Sequence, residues 1–283
     1  MNEDRLAHKI EREIFEKVFH LSKEQPWLSD KSSEVMELLD LCQTARQQEL
    51  VLDLLNRFHY VSDAKHRADL RSLAATISDD WKCDPSDTQV VALSGGELAD
   101  SSSMVVYGIK SELAKLGSWK TRNFSDSLSL AISNLSNLPN IVIVDEFAGT
   151  GNAVRKKIDY LHAQARLTVP IRVGLLTAME SATILIDPLV IETYCVNSLR
   201  KGISDHYTGT ELSEAVAAMT ELEKRLARRN GAKKLRDYEF GYERSEALHY
   251  SDAANPPNNN FPIFWWPKLT GTGNFRRLIA PRI

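Results

Sequence analysis

The sequence predicts an α/β protein: a parallel sheet of about five strands flanked by helices, with a helical layer before it and an extension after it. Three observations support that class. Residues 1–82 carry apolar side chains at helical spacing, and from residue 83 on, short aliphatic runs alternate with further helical patterns, as in βαβ units. The third is the run Ile141, Val142, Ile143, Val144. Consecutive β-branched residues have no helical period and suit a strand buried on both faces of a parallel sheet. The expected division is 1–82 for the helical layer and 83–283 for the α/β domain, whose C-terminal extension begins near 235.

At 283 residues and 43% hydrophobic content, the chain can bury a sizeable core. Lys plus Arg number 35 and Asp plus Glu 38, a net charge of -3 that demands neither a nucleic-acid nor a membrane partner. Cys42, Cys83 and Cys195 lie far apart and form no C-x-x-C, which argues against a disulfide framework or a zinc site. A reducing cytoplasm is the expected location. The opening MNEDRLAHKIEREIFEKVF is too charged for a signal peptide, and no apolar run approaches the ~20 residues of a membrane span.

Taken in order, Leu6, Ile10, Ile14, Val18 and Leu21 form the stripe of a first helix, broken at Pro26 and Trp27. Ser32 or Ser33 is the expected cap of a second helix, running through Val35, Leu38 and Leu41 to Leu50, Leu54 and Phe58. Residues 60–63 read as the joint before a third, with Leu70, Leu73, Ile77 and Trp81 inward. Asp84, Pro85, Ser86 and Asp87 signal a turn, after which 89–93 read as the first sheet strand. A Gly/Ser loop leads to a helix over 104–116, then a short strand over 118–123 and a helix over 124–138. Further strands are expected at 171–176 and 189–196, and a helix at 211–231. The stretch 224–236, KRLARRNGAKKLR, gathers seven cations, either a solvated face or a contact for nucleic acid or protein. A last strand is expected at 247–250, followed by a Pro/Asn turn anchored by Trp265 and Trp266.

Behind the β-branched run, Asp145 and Glu146 stand at the carboxyl end of the strand, the edge at which open α/β sheets bind ligands. Phe147 and Ala148 lead into Gly149, Thr150, Gly151 and Asn152, and a helical pattern opens from there. Backbone N–H groups of such a loop at a helix N-terminus form an anion site, and the glycines let a phosphate approach closely. A Walker B strand looks similar, but no G-x-x-x-x-G-K-[ST] occurs in the chain. A dinucleotide fingerprint fails because Val154 stands where the third glycine belongs. The plain alternative is a buried strand with an acidic turn and no ligand.

The whole string resembles the signature of type I phosphoribosyltransferases: a hydrophobic strand, two acids, two variable residues, then a small residue, Thr, Gly and another small residue. The resemblance implies a type I phosphoribosyltransferase-like sheet and a transferase site. In it Asp145 and Glu146 are the catalytic carboxylates that hold the ribose hydroxyls, and Gly149, Thr150, Gly151 and Asn152 wrap the 5′-phosphate of phosphoribosyl pyrophosphate (PRPP). It also makes Ser94, Gly95 and Gly96, with Ser101, Ser102 and Ser103, the pyrophosphate loop, and implies Mg²⁺ held mainly by the ligand. Two departures stand out. Ala99 to Ser103 stands where that loop often carries Lys-Ser-Gly, and the short connection after 117 leaves Lys120 and Arg122 as the available cations, either for the leaving group or as plain surface charges.

The tail carries Gly241-Tyr242, Ala247-Leu248, Pro257-Asn258-Asn259 and Trp265, and RFHYVS occupies 57–62. Together these resemble phosphoribosyltransferase-like proteins of bacterial conflict systems, including those found with retron reverse transcriptases. The implied function is an anti-phage defence effector that binds PRPP or a related ribose-phosphate nucleotide and acts at ribose C1. Its implied partner is a defence-system protein, or RNA or DNA in a reverse transcriptase complex, and no membrane. The alternative is a non-catalytic nucleotide-sensing or partner-binding module that contacts nucleic acid through 224–236.

Overall fold

The computed structural model describes residues 12–93, 101–165, 169–271 and 274–280. Its first helices are α1 (Arg12–Glu24), α2 (Ser32–Asp40) and α3 (Ala45–Asn56); Leu6 and Ile10 lie outside the described residues. Where one helix was expected over 32–58 there are two. The Thr44 hydroxyl accepts the Gln47 N–H at 3.2 Å, so the chain starts a new helix although the apolar spacing runs straight through. Neither Ser32 nor Ser33 caps α2, because a 3₁₀ turn at Pro26–Lys31 feeds directly into it. The expected joint at 60–63 is a strand, β1 (His59–Val61), followed by α4 (Asp63–Ala75), whose cap Ser62 accepts from the Lys65 N–H.

The sheet is built from β2 (Thr88–Ala92), α5 (Ser101–Leu116), β3 (Phe124–Ser125), α6 (Leu128–Ser133), β4 (Asn140–Ala148), α7 (Asn152–Ala165), β5 (Ile171–Met179), α8 (Glu180–Ile186) and β6 (Glu192–Leu199). Its order is β3-β2-β4-β5-β6, and every pair is parallel. The β-branched run has both faces buried, as its composition requires. Ile141 and Ile143 join a cluster with Leu128 of α6 and Ile158 of α7, while Val142 and Val144 join Leu73 of α4 and Ile109 of α5. The expected strand at 118–123 is instead a turn that leads into the two-residue β3. Buried Asn123 holds it by donating its side-chain amide to the carbonyls of Pro85 and Thr88, both at 2.7 Å.

Beyond the sheet come α9 (Gly209–Glu223), a hairpin of β7 (Arg229–Asn230) and β8 (Lys233–Lys234), and β9 (His249–Ser251). The helix expected to reach residue 231 stops at Glu223. Fully buried Leu226 bridges to Leu269, and Gly231 turns the chain back with φ +58, so tertiary burial overrides the helix propensity of the Lys/Arg run. Strand β9 pairs in parallel with β1, aligning His59 with His249 and Tyr60 with Tyr250. One hydrophobic cluster joins Leu38 of α2, Leu50 and Leu54 of α3, Met219 of α9, and Phe261, Phe264 and Trp266 of the tail. No helix among the described residues is long and apolar enough to cross a membrane.

Glu223 ends α9 inside that cluster, 2% exposed, and its carboxylate accepts the Phe240 N–H at 3.0 Å. Burial pushes its pKa from 4.5 up to about 8, with the Phe240 N–H opposing. Between those values the folded protein binds the proton more tightly than the unfolded chain, so stability falls as pH rises. The slope is about 1.4 kcal/mol per pH unit. Glu223→Gln removes it, and urea titrations should find the variant gaining on the wild type by a few kcal/mol between pH 5 and 8. A difference that stays constant over that range would exclude a buried neutral acid.

Candidate functional site

Strand β4 carries both acids of the motif to the carboxyl edge of the sheet before it ends at Ala148. Asp145 is 9% exposed and lines a cavity of about 540 Å³; Glu146, 5% exposed, is not part of that wall. Alternate strand residues point to opposite faces, which separates neighbouring acids. An Asp145 carboxylate oxygen accepts the Glu146 N–H at 2.8 Å, fixing the side chain at the rim.

The cavity continues over Gly149, Thr150, Gly151 and Asn152 to the first turn of α7. Both glycines are required by their surroundings. Gly151 has φ +75, and a Cβ there would stand 2.9 Å from the Ala182 carbonyl oxygen; one on Gly149 would run into the Asn259 side chain. The tail therefore forms the opposite wall, with Tyr242, Glu243, Asn258 and Asn259. Asn152 links the two sides. Its amide nitrogen donates to Glu243 at 2.6 Å, and its amide oxygen accepts from Arg155 at 2.8 Å. Glu243 is itself held in a left-handed conformation, φ +52.

The remaining expected residues divide into three groups. Ser94, Gly95 and Gly96 lie outside the described residues, while Ser101, Ser102 and Ser103 form the first turn of α5, the last two buried. Lys120 and Arg122 line a separate cleft with Asp84, Pro85 and Ser86, which precede β2, so they stand at the amino end of the sheet. They cannot reach over β4's carboxyl edge. Several cations of the basic stretch make contacts within the chain, most of them at the surface. Lys224 pairs with Glu221, Arg225 donates to the Leu41 carbonyl at 2.7 Å, Lys233 lies over Trp265, and Arg236 pairs with Asp237.

Two groups at the site were not singled out from sequence. Arg155, Lys156 and Lys157 line the cavity; the signal was their place in the first two turns after the Gly-rich loop. The second group sits above the ends of β4, β5 and β6, where Phe147, Thr177 and Asn197 align across the sheet. The Phe147 ring stacks on His249, centroids 4.8 Å apart, and the His249 and His59 Nδ1 atoms are 3.2 Å apart. Lys65 donates to Asp69 at 2.6 Å and to Asn197 at 2.7 Å. Burial, and secondly the Lys65 charge, hold His59 below its usual pKa, and burial takes His249 down to about 3. The dipeptide His-Tyr, at 59–60 and again at 249–250, was the available signal.

Fold and site define an α/β protein with a cavity at the carboxyl edge of a five-stranded parallel sheet, with an acid and a Gly-rich loop in its wall. The chain belongs to the PRTase-CE family, whose model matches residues 41–279. No curated protein matches it. Among solved structures it is similar to an orotate phosphoribosyltransferase from Aeropyrum pernix, at 15% identity over 48% of this chain and 72% of that one, TM-score 0.32. It is similar also to the xanthine-guanine-hypoxanthine phosphoribosyltransferase of Helicobacter pylori, at 13% identity over 48% and 85% of the two chains, TM-score 0.31. A third is the orotate phosphoribosyltransferase of Mycobacterium tuberculosis H37Rv in complex with inorganic phosphate, at 16% identity over 58% and 93%, TM-score 0.30.

Proposed function

We propose that the cavity binds the ribose 5′-phosphate portion of PRPP or a related ribose-phosphate nucleotide and supports transfer or hydrolysis at ribose C1. The observation that carries this reading is one continuous wall formed by Asp145, the 149–152 loop and the first turn of α7. The helix N-terminus favours the phosphate. Asp145 then faces the ribose hydroxyls and stabilises the positive charge that develops at C1 as its bond to the leaving oxygen breaks and a bond to the acceptor forms. The leaving group departs with the bonding pair. Among the described residues no cluster of three or more ligating side chains could hold a metal. Mg²⁺ would thus be held by the ligand's own oxygens, with Asp145 the cavity's candidate carboxylate, a mode that suits an ion which keeps most of its waters. Bound so, it supplies charge neutralisation on the leaving group.

We also infer a role as an effector of a retron-type anti-phage system, supported by membership of the PRTase-CE family and by the RFHYVS and tail motifs. Exposed Arg228 and Arg229, at the start of the β7–β8 hairpin, are among the cations free to meet a nucleic-acid or protein partner. Calorimetric titration with PRPP, with and without Mg²⁺, tests the site. Asp145→Asn should weaken binding about tenfold or more, the loss of one charge-assisted hydrogen bond, with the far-ultraviolet spectrum unchanged. Equal affinity in a folded variant would sink the assignment.

A further inference from the structure

The cavity is larger than a terminal phosphate needs. At about 540 Å³ it falls in the range of pockets that enclose a whole drug-sized ligand, and it runs past the Gly-rich loop instead of closing over it. Beyond the loop its floor is the outer side of α7. Lys156 and Lys157 lie four and five residues past Asn152, about 6 to 8 Å along the helix axis, within reach of a group attached to a phosphate held at the N-terminus. Arg155 is already engaged with Asn152. The two lysines make no ion pair among the described residues.

The opposite wall adds two further constraints. Glu243 brings a carboxylate to Asn152, at the loop itself. A terminal phosphate carries roughly -1.5 to -2 near neutral pH and is repelled by that carboxylate, whereas an esterified phosphate carries a single charge. Next to it, Tyr242 offers an aromatic ring that is 38% exposed and lines the cavity. Such a ring suits stacking of a base or sugar.

We propose that the ligand is a ribose 5′-diphosphate ester, in which the phosphate next to the ribose sits on the 149–152 loop, the second meets Lys156 and Lys157, and the group beyond lies against Tyr242. This deepens the ribose-phosphate reading and rests on it: it selects ribose-phosphate nucleotides extended through the 5′-phosphate over PRPP, whose 5′-phosphate is terminal. A ligand ending at that phosphate leaves the part of the cavity along α7, and both lysines, unused.

Calorimetry on the full chain with ribose 5-phosphate, adenosine 5′-monophosphate and ADP-ribose tests it. ADP-ribose should bind about tenfold or more tightly than either monophosphate, as expected when two lysines gain a charged acceptor. In the Lys156→Gln, Lys157→Gln double variant that advantage should shrink to about threefold or less. Tyr242→Ala should lower ADP-ribose affinity more than ribose 5-phosphate affinity. Equal binding of ADP-ribose and adenosine 5′-monophosphate, or an advantage untouched by the lysine changes, would overturn the diphosphate proposal and leave the ribose-phosphate site standing. If neither ADP-ribose nor ribose 5-phosphate binds the folded protein, the ribose-phosphate reading itself falls.

Discussion

Gly151→Val is expected to lose ribose-phosphate binding altogether and to lower stability by about 2 kcal/mol or more from conformation alone. The backbone at Gly151 has φ +75, which a β-branched side chain strongly resists, and the added Cβ would meet backbone atoms of α8 that cannot rotate away, Ala182 O at 2.9 Å and its Cα at 3.3 Å. Relief requires the loop to shift, and a shift there moves the proposed phosphate site at the start of α7. Gly231→Val separates conformation from position. Gly231 also has positive φ, +58, but nothing lies within 4 Å of its added Cβ, and it sits on the β7–β8 hairpin. That control should show a similar loss of stability in urea and unchanged ligand affinity. If Gly151→Val bound normally, the loop would not be the phosphate site.

Acid should cost the protein the stability that its histidine pair contributes. His249 is fully buried beside His59, and its Nε2 has no hydrogen-bond partner among the described residues. Its pKa lies at about 3 in the folded protein against 6.5 for the free side chain. The unfolded chain then binds the proton more tightly, so the contribution of His249 is intact above about pH 6.5 and falls by about 1.4 kcal/mol per unit below it, against the opposite slope that Glu223 supplies down to its ordinary value of 4.5. Over two units that is about 3 kcal/mol, a large share of an ordinary domain's stability. His249→Phe keeps a ring to stack on Phe147 but does not titrate. Urea midpoints should show it less stable than the wild type at pH 8, because the His59 contact is lost, yet gaining on the wild type as pH falls from 6.5 toward 4. Parallel pH profiles in the two proteins would show that His249 does not titrate in this way.

How much of this could be read from the sequence depended on whether a signal was local. Four β-branched residues followed by acids specify β4 and its ligand edge almost unaided, because burial on both faces and the end of the strand are written within ten residues. Thr44 was missed since the apolar spacing on either side is continuous, and a single capping hydroxyl decides the break. The end of α9 depends on Leu226 meeting Leu269, a contact between distant segments that overrides good helix formers. At the site, the loop and Asp145 were visible as a string. The opposite wall was not, because Glu243 and Asn259 reach the cavity only through the packing of the tail against the loop. Lys120 and Arg122 carried the right charge for the leaving group, but they belong to the wrong end of the sheet.

The pairing of β1 with β9 also sets a timetable for synthesis. The two histidines it aligns are 190 residues apart, and ribosomes add roughly 5 to 20 residues per second. A nascent chain therefore holds residues 59–61 for roughly ten to forty seconds before their partner strand exists. During that interval the apolar faces of α2 and α3 lack Phe261, Phe264 and Trp266, which complete their cluster. The Gly-rich loop meanwhile lacks its opposite wall, since Tyr242 and Asn259 are also late in the chain. A prematurely terminated product ending before residue 240 would carry every residue of the loop and the acid, and still have no enclosed site. The opposite wall is thus added only once residues 242–259 have been made, long after the loop and the acid.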